Sequence, residues 1–198
     1  MGRLAGRNAN RAFTQLMAAA DAYQHDRERE AIRILRPLRD QVPDSPSVRE
    51  LMGLAQYRIG NYAAAAKELE VYVNLTDSVD QYPVLMDCYR AQRKWKRVAE
   101  LWQELAAVSP AGELVAEGRI VYAGALADQD RMPDALATLR KRAEPVKNPS
   151  DHHLRLWYAL ADLEERAGNL ATARDLFDRV RKADPSFADV AERRAALG

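Results

Sequence analysis

The chain has 198 residues and a mass of 22.3 kDa, enough for one domain or one extended array. Its 30 Lys+Arg stand against 29 Asp+Glu, and a net charge of +1 argues against a protein built to coat nucleic acid or an anionic membrane. A 47% hydrophobic fraction, 30% charged residues and a mean hydropathy of -0.46 describe a folded but thin chain. Its 35 Ala and 22 Leu, against nine Gly and nine Pro, favour helix throughout.

Residues 1–11 carry Arg3, Arg7 and Arg11 without an apolar segment, so a flexible basic arm is expected rather than a secretory signal. No apolar run approaches the roughly 20 residues that span a bilayer. The single Cys88 cannot form an internal disulfide and gives no sign of an oxidising compartment. A cytoplasmic protein is the expectation.

From residue 12 onward one unit recurs. Alanine or valine at Ala31, Ala65, Val98, Ala135 and Ala173 marks it, with spacings of 34, 33, 37 and 38 residues. The first unit, about 12–45, holds Ala18, Ala19, Ala31, Leu35 and Pro43, with Pro37 set to kink or fray the helix over 27–41. The second, 46–78, opens on Ser45-Pro46 as an N-cap with proline at the first helical position. It carries Gly53, Ala65 and Leu69, and Gly60 stops its first helix.

The third unit, 79–112, shows Leu85, Tyr89, Trp102 and Pro110. Met86 and Val98 replace small residues there, so it should pack more widely or bend the array. Ser109-Pro110 repeats the cap-plus-proline signal. The fourth, 116–149, keeps Tyr122, Ala123, Ala135 and Leu139. The fifth, 154–185, has Trp157, Leu160, Ala161, Ala173, Phe177 and Pro185, with Gly168 between its helices. Residues 186–198, with Phe187, Val190 and Leu197 on one side, read as a helix capping the last apolar face.

These positions resemble the tetratricopeptide repeat, W-x2-L-G-x2-Y, then A-x3-F, then P, over 34 residues. The fifth unit departs from it at Glu164, where Tyr is expected. The resemblance implies an all-α, right-handed α-solenoid of about five helix pairs with a C-terminal capping helix. It also implies a scaffold without catalytic activity, similar to uncharacterised bacterial members of the family, and such arrays are expected to hold a peptide or helical segment of a partner in the concave groove.

Projected onto that groove, the family positions give Tyr23, Gln24, Glu50, Leu54, Tyr57, Arg58, Asp87 and Arg90. In the last unit they give Arg155, Tyr158, Asp162, Glu165 and Arg166. The fourth unit offers Ile120, Gly124 and Ala127, an apolar gap either open to a partner side chain or packed by a neighbouring helix. The basic carboxylate clamp of chaperone adaptors is not expected, because Leu16, Ala20, Glu50 and Leu54 occupy the corresponding places.

No motif points to an enzyme, a cofactor or a metal. There is no phosphate-cradling glycine loop, no Gly-x-Ser-x-Gly elbow and no Cys/His set with metal spacing. His152-His153 reads as a solvated loop, Cys88 as a small core residue and Glu164-Glu165 as a solvated helix face. His25 sits at a helix end, where imidazole can meet free carbonyls.

The basic turn Arg90–Arg97, with Arg93, Lys94, Lys96 and Arg97 around Trp95, is the main candidate for nucleic-acid contact, and the arm with Arg3, Arg7 and Arg11 a weaker one. A structural Trp95 fits that position better, because Tyr62 fills it in the second unit. Arg140-Lys141-Arg142 suits the dipole of a helix C-terminus. The expected partner is therefore a protein or peptide, with nucleic acid and membrane disfavoured and the chain a monomer or weak dimer. Self-assembly through exposed end faces is an alternative.

Overall fold

The computed structural model describes residues 6–108 and 112–198, and among them it holds eleven α-helices and no strand. They fall into two compact units that divide between Lys94 and Trp95. The first unit contains α1 (Gly6–Gln24), α2 (Glu28–Gln41), α3 (Pro46–Arg58), α4 (Tyr62–Thr76) and α5 (Tyr82–Ala91). The second contains α6 (Trp95–Val108), α7 (Gly112–Ala127), α8 (Met132–Arg140), α9 (Asp151–Arg166), α10 (Leu170–Ala183) and α11 (Val190–Ala196). The boundary lies inside the third repeat, where Met86 and Val98 take the places of small residues. Helix α1 starts at Gly6, ahead of the boundary expected at residue 12. Arg3 and the Ser109-Pro110 signal lie outside the described residues, as does the side chain of Arg7.

Consecutive helices pack as hairpins: α1 with α2 and α3 with α4 in the first unit, α7 with α8 and α9 with α10 in the second. The turns that end α1, α3, α5, α7 and α9 share one backbone solution. Asp26, Gly60, Arg93, Asp130 and Gly168 all have positive φ, at 54°, 76°, 57°, 61° and 81°. The residue after each donates its N–H five positions back: Arg27 to Ala22, Asn61 to Gln56, Lys94 to Tyr89, Arg131 to Leu126 and Asn169 to Glu164, at 2.8–3.0 Å. This is the Schellman closure, which satisfies helix-end carbonyls through one left-handed residue. Only two of the five are the glycines that the sequence signals; Asp tolerates the conformation moderately and Arg poorly.

The repeating small residues pack as their spacing predicts. Ala31, Ala65, Ala135 and Ala173 are fully buried, with Leu35, Leu69, Leu139 and Phe177 fully buried one turn on. A Cβ added at Gly53 would stand 2.7 Å from the Leu69 side chain, and one at Gly118 2.4 Å from Leu105 Cδ2, so α3–α4 and α6–α7 approach closely there. Trp102 is only half-buried and stacks on Tyr122 with ring centroids 5.7 Å apart. Helix α2 runs on through Pro37 to Gln41, so the ring does not end it.

Each unit also buries one carboxylate. Glu68 on α4 accepts from Arg39 Nη1 of α2 at 2.9 Å and from Arg49 Nη1 of α3 at 2.6 Å. Glu164 on α9 is fully buried, which corrects its expected place on a solvated face. Arg140 of α8 grips it in bidentate fashion through Nε and Nη2 at 2.8 and 2.9 Å, and Asn169 Nδ2 donates at 2.8 Å. A buried acid needs this degree of pairing to offset its desolvation. Glu164 thus occupies the repeat's tyrosine position as an anchor between hairpins.

Candidate partner-binding faces

In the first unit, the residues expected on the groove lie on successive first helices, α1, α3 and α5, joined by bonds across helices. The Arg58 guanidinium stands 3.8 Å over the Tyr23 ring and donates to Tyr23 O, Asp26 and Glu28 at 3.0, 3.3 and 3.4 Å. Glu50 accepts from Gln81 Nε2 at 2.9 Å. Tyr57 donates its hydroxyl to Asp87 Oδ2 at 2.8 Å, and Arg90 Nη1 lies 3.6 Å from Asp87 Oδ1. Burial first, and the Asp87 charge second, push the Tyr57 hydroxyl pKa well up, so it stays a donor. Tyr62 meets Tyr57 edge-on at 5.8 Å. Leu54, Tyr57, Asp87 and Arg90 are half-buried and Arg58 is partly exposed, so the row is held in shape and reachable.

The second unit arranges its row differently. Tyr158 donates its hydroxyl to Asp189 and stands edge-on to Phe177 at 5.5 Å. Burial, followed by that bond, pushes its hydroxyl up to about 12. Arg193 on α11 donates through Nη2 to Asp162 at 2.9 Å and Glu165 at 2.8 Å, and through Nη1 to the Tyr158 hydroxyl at 3.3 Å. The cap therefore covers three of the five projected residues. Arg166 lies 4.0 Å from both Asp128 and Asp162, whereas Arg155 turns to Glu117 and Asp151 at 2.7 and 2.6 Å. Sequence periodicity placed α11 but not Arg193, whose partners lie 28 to 35 residues upstream. The fourth-unit gap is filled: Gly124 and Ala127 are buried, and Ile120 packs against the α7–α10 core.

The basic turn is divided between the units. Arg93 is the left-handed turn residue, and the Lys94 ammonium lies 5.5 Å from the Tyr89 ring. In the second unit, Glu100 takes both Lys96 and Arg97, at 3.8 and 2.7 Å. Its carboxylate offsets part of the positive field that a phosphate backbone would need.

The histidine pair is not a loop. His152 and His153 sit in the first turn of α9, half-buried with ring centroids 4.0 Å apart, and Ser150 N–H donates to His153 Nδ1 at 3.2 Å. Burial, then the His152 charge, lower the His153 pKa. His25 meets the Asp21 carbonyl at 2.8 Å. Cys88 is fully buried, and burial pushes its thiol up to about 12, far from a reactive thiolate. Among the described residues no cluster of His, Cys, Asp and Glu could hold a metal ion, and no helix is long and apolar enough to cross a membrane.

Family profiles described as tetratricopeptide repeat match residues 16–83 and 154–197. Curated protein sequences yield no match. Among solved structures, a thermophilic tetratricopeptide protein of Thermus thermophilus is similar with a TM-score of 0.71 and 17% identity, covering 94% of this chain and 98% of that one. MamA from Desulfovibrio magneticus is similar with a TM-score of 0.67 and 15% identity, covering 89% and 96%. The C-terminal part of a repeat-containing protein from Cytophaga hutchinsonii is similar with a TM-score of 0.66 and 14% identity, covering 92% and 69%. At such identities the likeness is one of fold. Family matches in both halves, hairpins closed by one recurring turn and the same fold in solved repeat proteins agree: the chain is an all-α, solenoid-type tetratricopeptide-repeat protein.

Proposed function

We propose that the chain is a non-catalytic scaffold that binds an extended or helical segment of a protein partner, chiefly on the face made by α1, α3 and α5. The supporting observation is the row Tyr23, Glu50, Leu54, Tyr57, Arg58, Asp87 and Arg90. Hydrogen bonds across three helices hold it, and it stays partly exposed. Side chains fixed in this way lose less entropy when a partner docks, and Tyr and Arg are frequent anchors at interfaces. Carboxylates and guanidiniums of both signs suit a partner segment carrying charges of both signs around an apolar residue that meets Leu54 and Tyr57.

The test is affinity capture with quantitative mass spectrometry on the wild-type chain, a Tyr57→Ala/Arg90→Ala double variant and a Tyr158→Ala variant. The double variant should lose the specific proteins at least about tenfold while keeping its helical signal, since each anchor is worth on the order of 1 kcal/mol or more. Tyr158→Ala should retain most of them, because α11 occupies that face. A folded double variant that retains the same set at wild-type yield overturns the proposal.

A further inference from the structure

At the end of the second unit where α7 and α9 begin and α8 finishes lies a cavity of about 310 Å³, lined by Gly112, Val115, Ala116, Arg119, Arg142, His152, His153 and Leu156. Its lining divides into two parts. Val115, Ala116 and Leu156 form an apolar wall, with Ala116 and Leu156 almost wholly buried. Arg119 and Arg142 supply charge and the two imidazoles supply ring nitrogens, and among the described residues no Asp or Glu lines the cavity. Other arginines at the seams between helices have carboxylate partners, as Arg39, Arg140, Arg155 and Arg193 do.

Among the described residues neither Arg119 nor Arg142 has an ion-pair partner. The Arg119 guanidinium rests 5.0 Å over the Trp102 ring and reaches only Thr138 O, at 3.4 Å. Burial first, and then the like charge of Arg142, lower its pKa, so both effects work against its charge. Two guanidiniums line one cavity without a carboxylate beside them, and an anion placed between them would accept charge-assisted hydrogen bonds from both. Helix α9 also begins at this end, with Ser150 capping the His153 N–H and Asp151 in its first turn.

We propose that this cavity binds a small phosphomonoester, its dianionic head between Arg119 and Arg142 beside the imidazoles and its apolar body against Val115, Ala116 and Leu156. The volume suits such a ligand, since it lies at the small end of the range for small-molecule sites. A monoester is favoured over bare phosphate because much of the lining is apolar. It is favoured over a monocarboxylate because two guanidiniums are balanced by a dianion. The site lies wholly within the second unit, so it is independent of the α1–α3–α5 face and can stand or fall without it.

The test is a titration of the full chain with phenyl phosphate at low ionic strength, followed by the imidazole resonances of His152 and His153. Inorganic phosphate and phenol serve as the two half-ligands. The expected result is saturable shifts of both imidazoles, with phenyl phosphate binding at least about tenfold more tightly than phosphate and phenol giving no saturation. Arg142 is exposed and anchors nothing in the fold, so Arg142→Gln should leave the helical signal intact and weaken phenyl phosphate by about tenfold or more. The proposal is overturned by any of three results: no saturable shift up to about 10 mM, equal affinity in folded Arg142→Gln, or phenol matching phenyl phosphate.

Discussion

Both units place a carboxylate in the seam between consecutive helix pairs, but they satisfy it in different ways. Glu68 is shared by two arginines from two helices, Arg39 of α2 and Arg49 of α3. Glu164 depends on one, Arg140 of α8, backed by Asn169. Glu68 retains slight exposure at 8%, whereas Glu164 has none. A shared and slightly wet acid can lose one partner and still be paired. A dry acid with one guanidinium cannot, because an uncompensated buried charge costs far more than the pair contributes. The first arrangement is therefore redundant, and the second makes one residue decisive.

The largest expected effect tests this contrast. Arg140→Ala should cost about 3 kcal/mol, with Asn169 and water retaining part of the compensation. Arg39→Ala and Arg49→Ala should each cost about 1 kcal/mol, and the double variant more than their sum. Urea midpoints of the full chain measure all four. Equal costs at Arg140 and Arg39 would break the distinction between a shared and a single clamp.

The turns give the next effect in size. Gly60→Ala should lose about 1 kcal/mol and Arg93→Gly should gain a similar amount, because both sit in the left-handed conformation and only one pays for a side chain there. Asp26→Gly and Asp130→Gly should gain less, since Asp tolerates that conformation. A neutral Arg93→Gly would mean that its side chain contributes contacts worth as much as the strain.

The smallest effect concerns pH in the second unit. His153 has a folded-state pKa lowered below 6.5, so the unfolded chain binds the proton more readily. Its contribution to stability is complete above pH of about 6.5 and fades as pH falls through that value toward the folded pKa. Melting temperature should drop modestly between pH 7.5 and pH 5, and His153→Gln should reduce that drop. An unchanged pH dependence in the variant would remove His153 as its source.

Much of the fold was legible in the sequence because it rests on local spacing. The series Ala31, Ala65, Val98, Ala135 and Ala173 reports the register of each second helix, and its intervals recur in the turn residues Asp26, Gly60, Arg93, Asp130 and Gly168. The last series was hidden because the repeating quantity is a backbone angle, which glycine announces and Asp or Arg does not. Glu164 was misplaced for a different reason. Its partner is 24 residues upstream, and helical spacing alone cannot tell an anchored acid from a solvated one. The one available signal was a charge standing where the repeat expects tyrosine.

The candidate site divides the same way. Projection of family positions named Tyr57, Asp87 and Arg90, which contact one another because neighbouring first helices repeat at a fixed interval. It could not foresee that Arg193 would cover Tyr158, Asp162 and Glu165, because the cap lies outside the repeat. Nor could it find the cavity, whose lining comes from three helix ends that no period relates.

That cavity lies where the repeat is longest. The turn residues Asp130 and Gly168 are 38 positions apart, against 34 for Asp26 and Gly60, and the surplus falls in the connector from Arg140 to Asp151. Lengthening a connector by a few residues adds only about a few tenths of a kcal/mol of closure entropy and leaves the stacked hairpins untouched. A repeat array can therefore vary the joint between two hairpins while the turns on either side keep their form. For a lineage that grows by copying units, the connectors are where one copy can take on a separate trade while its neighbours keep the old one.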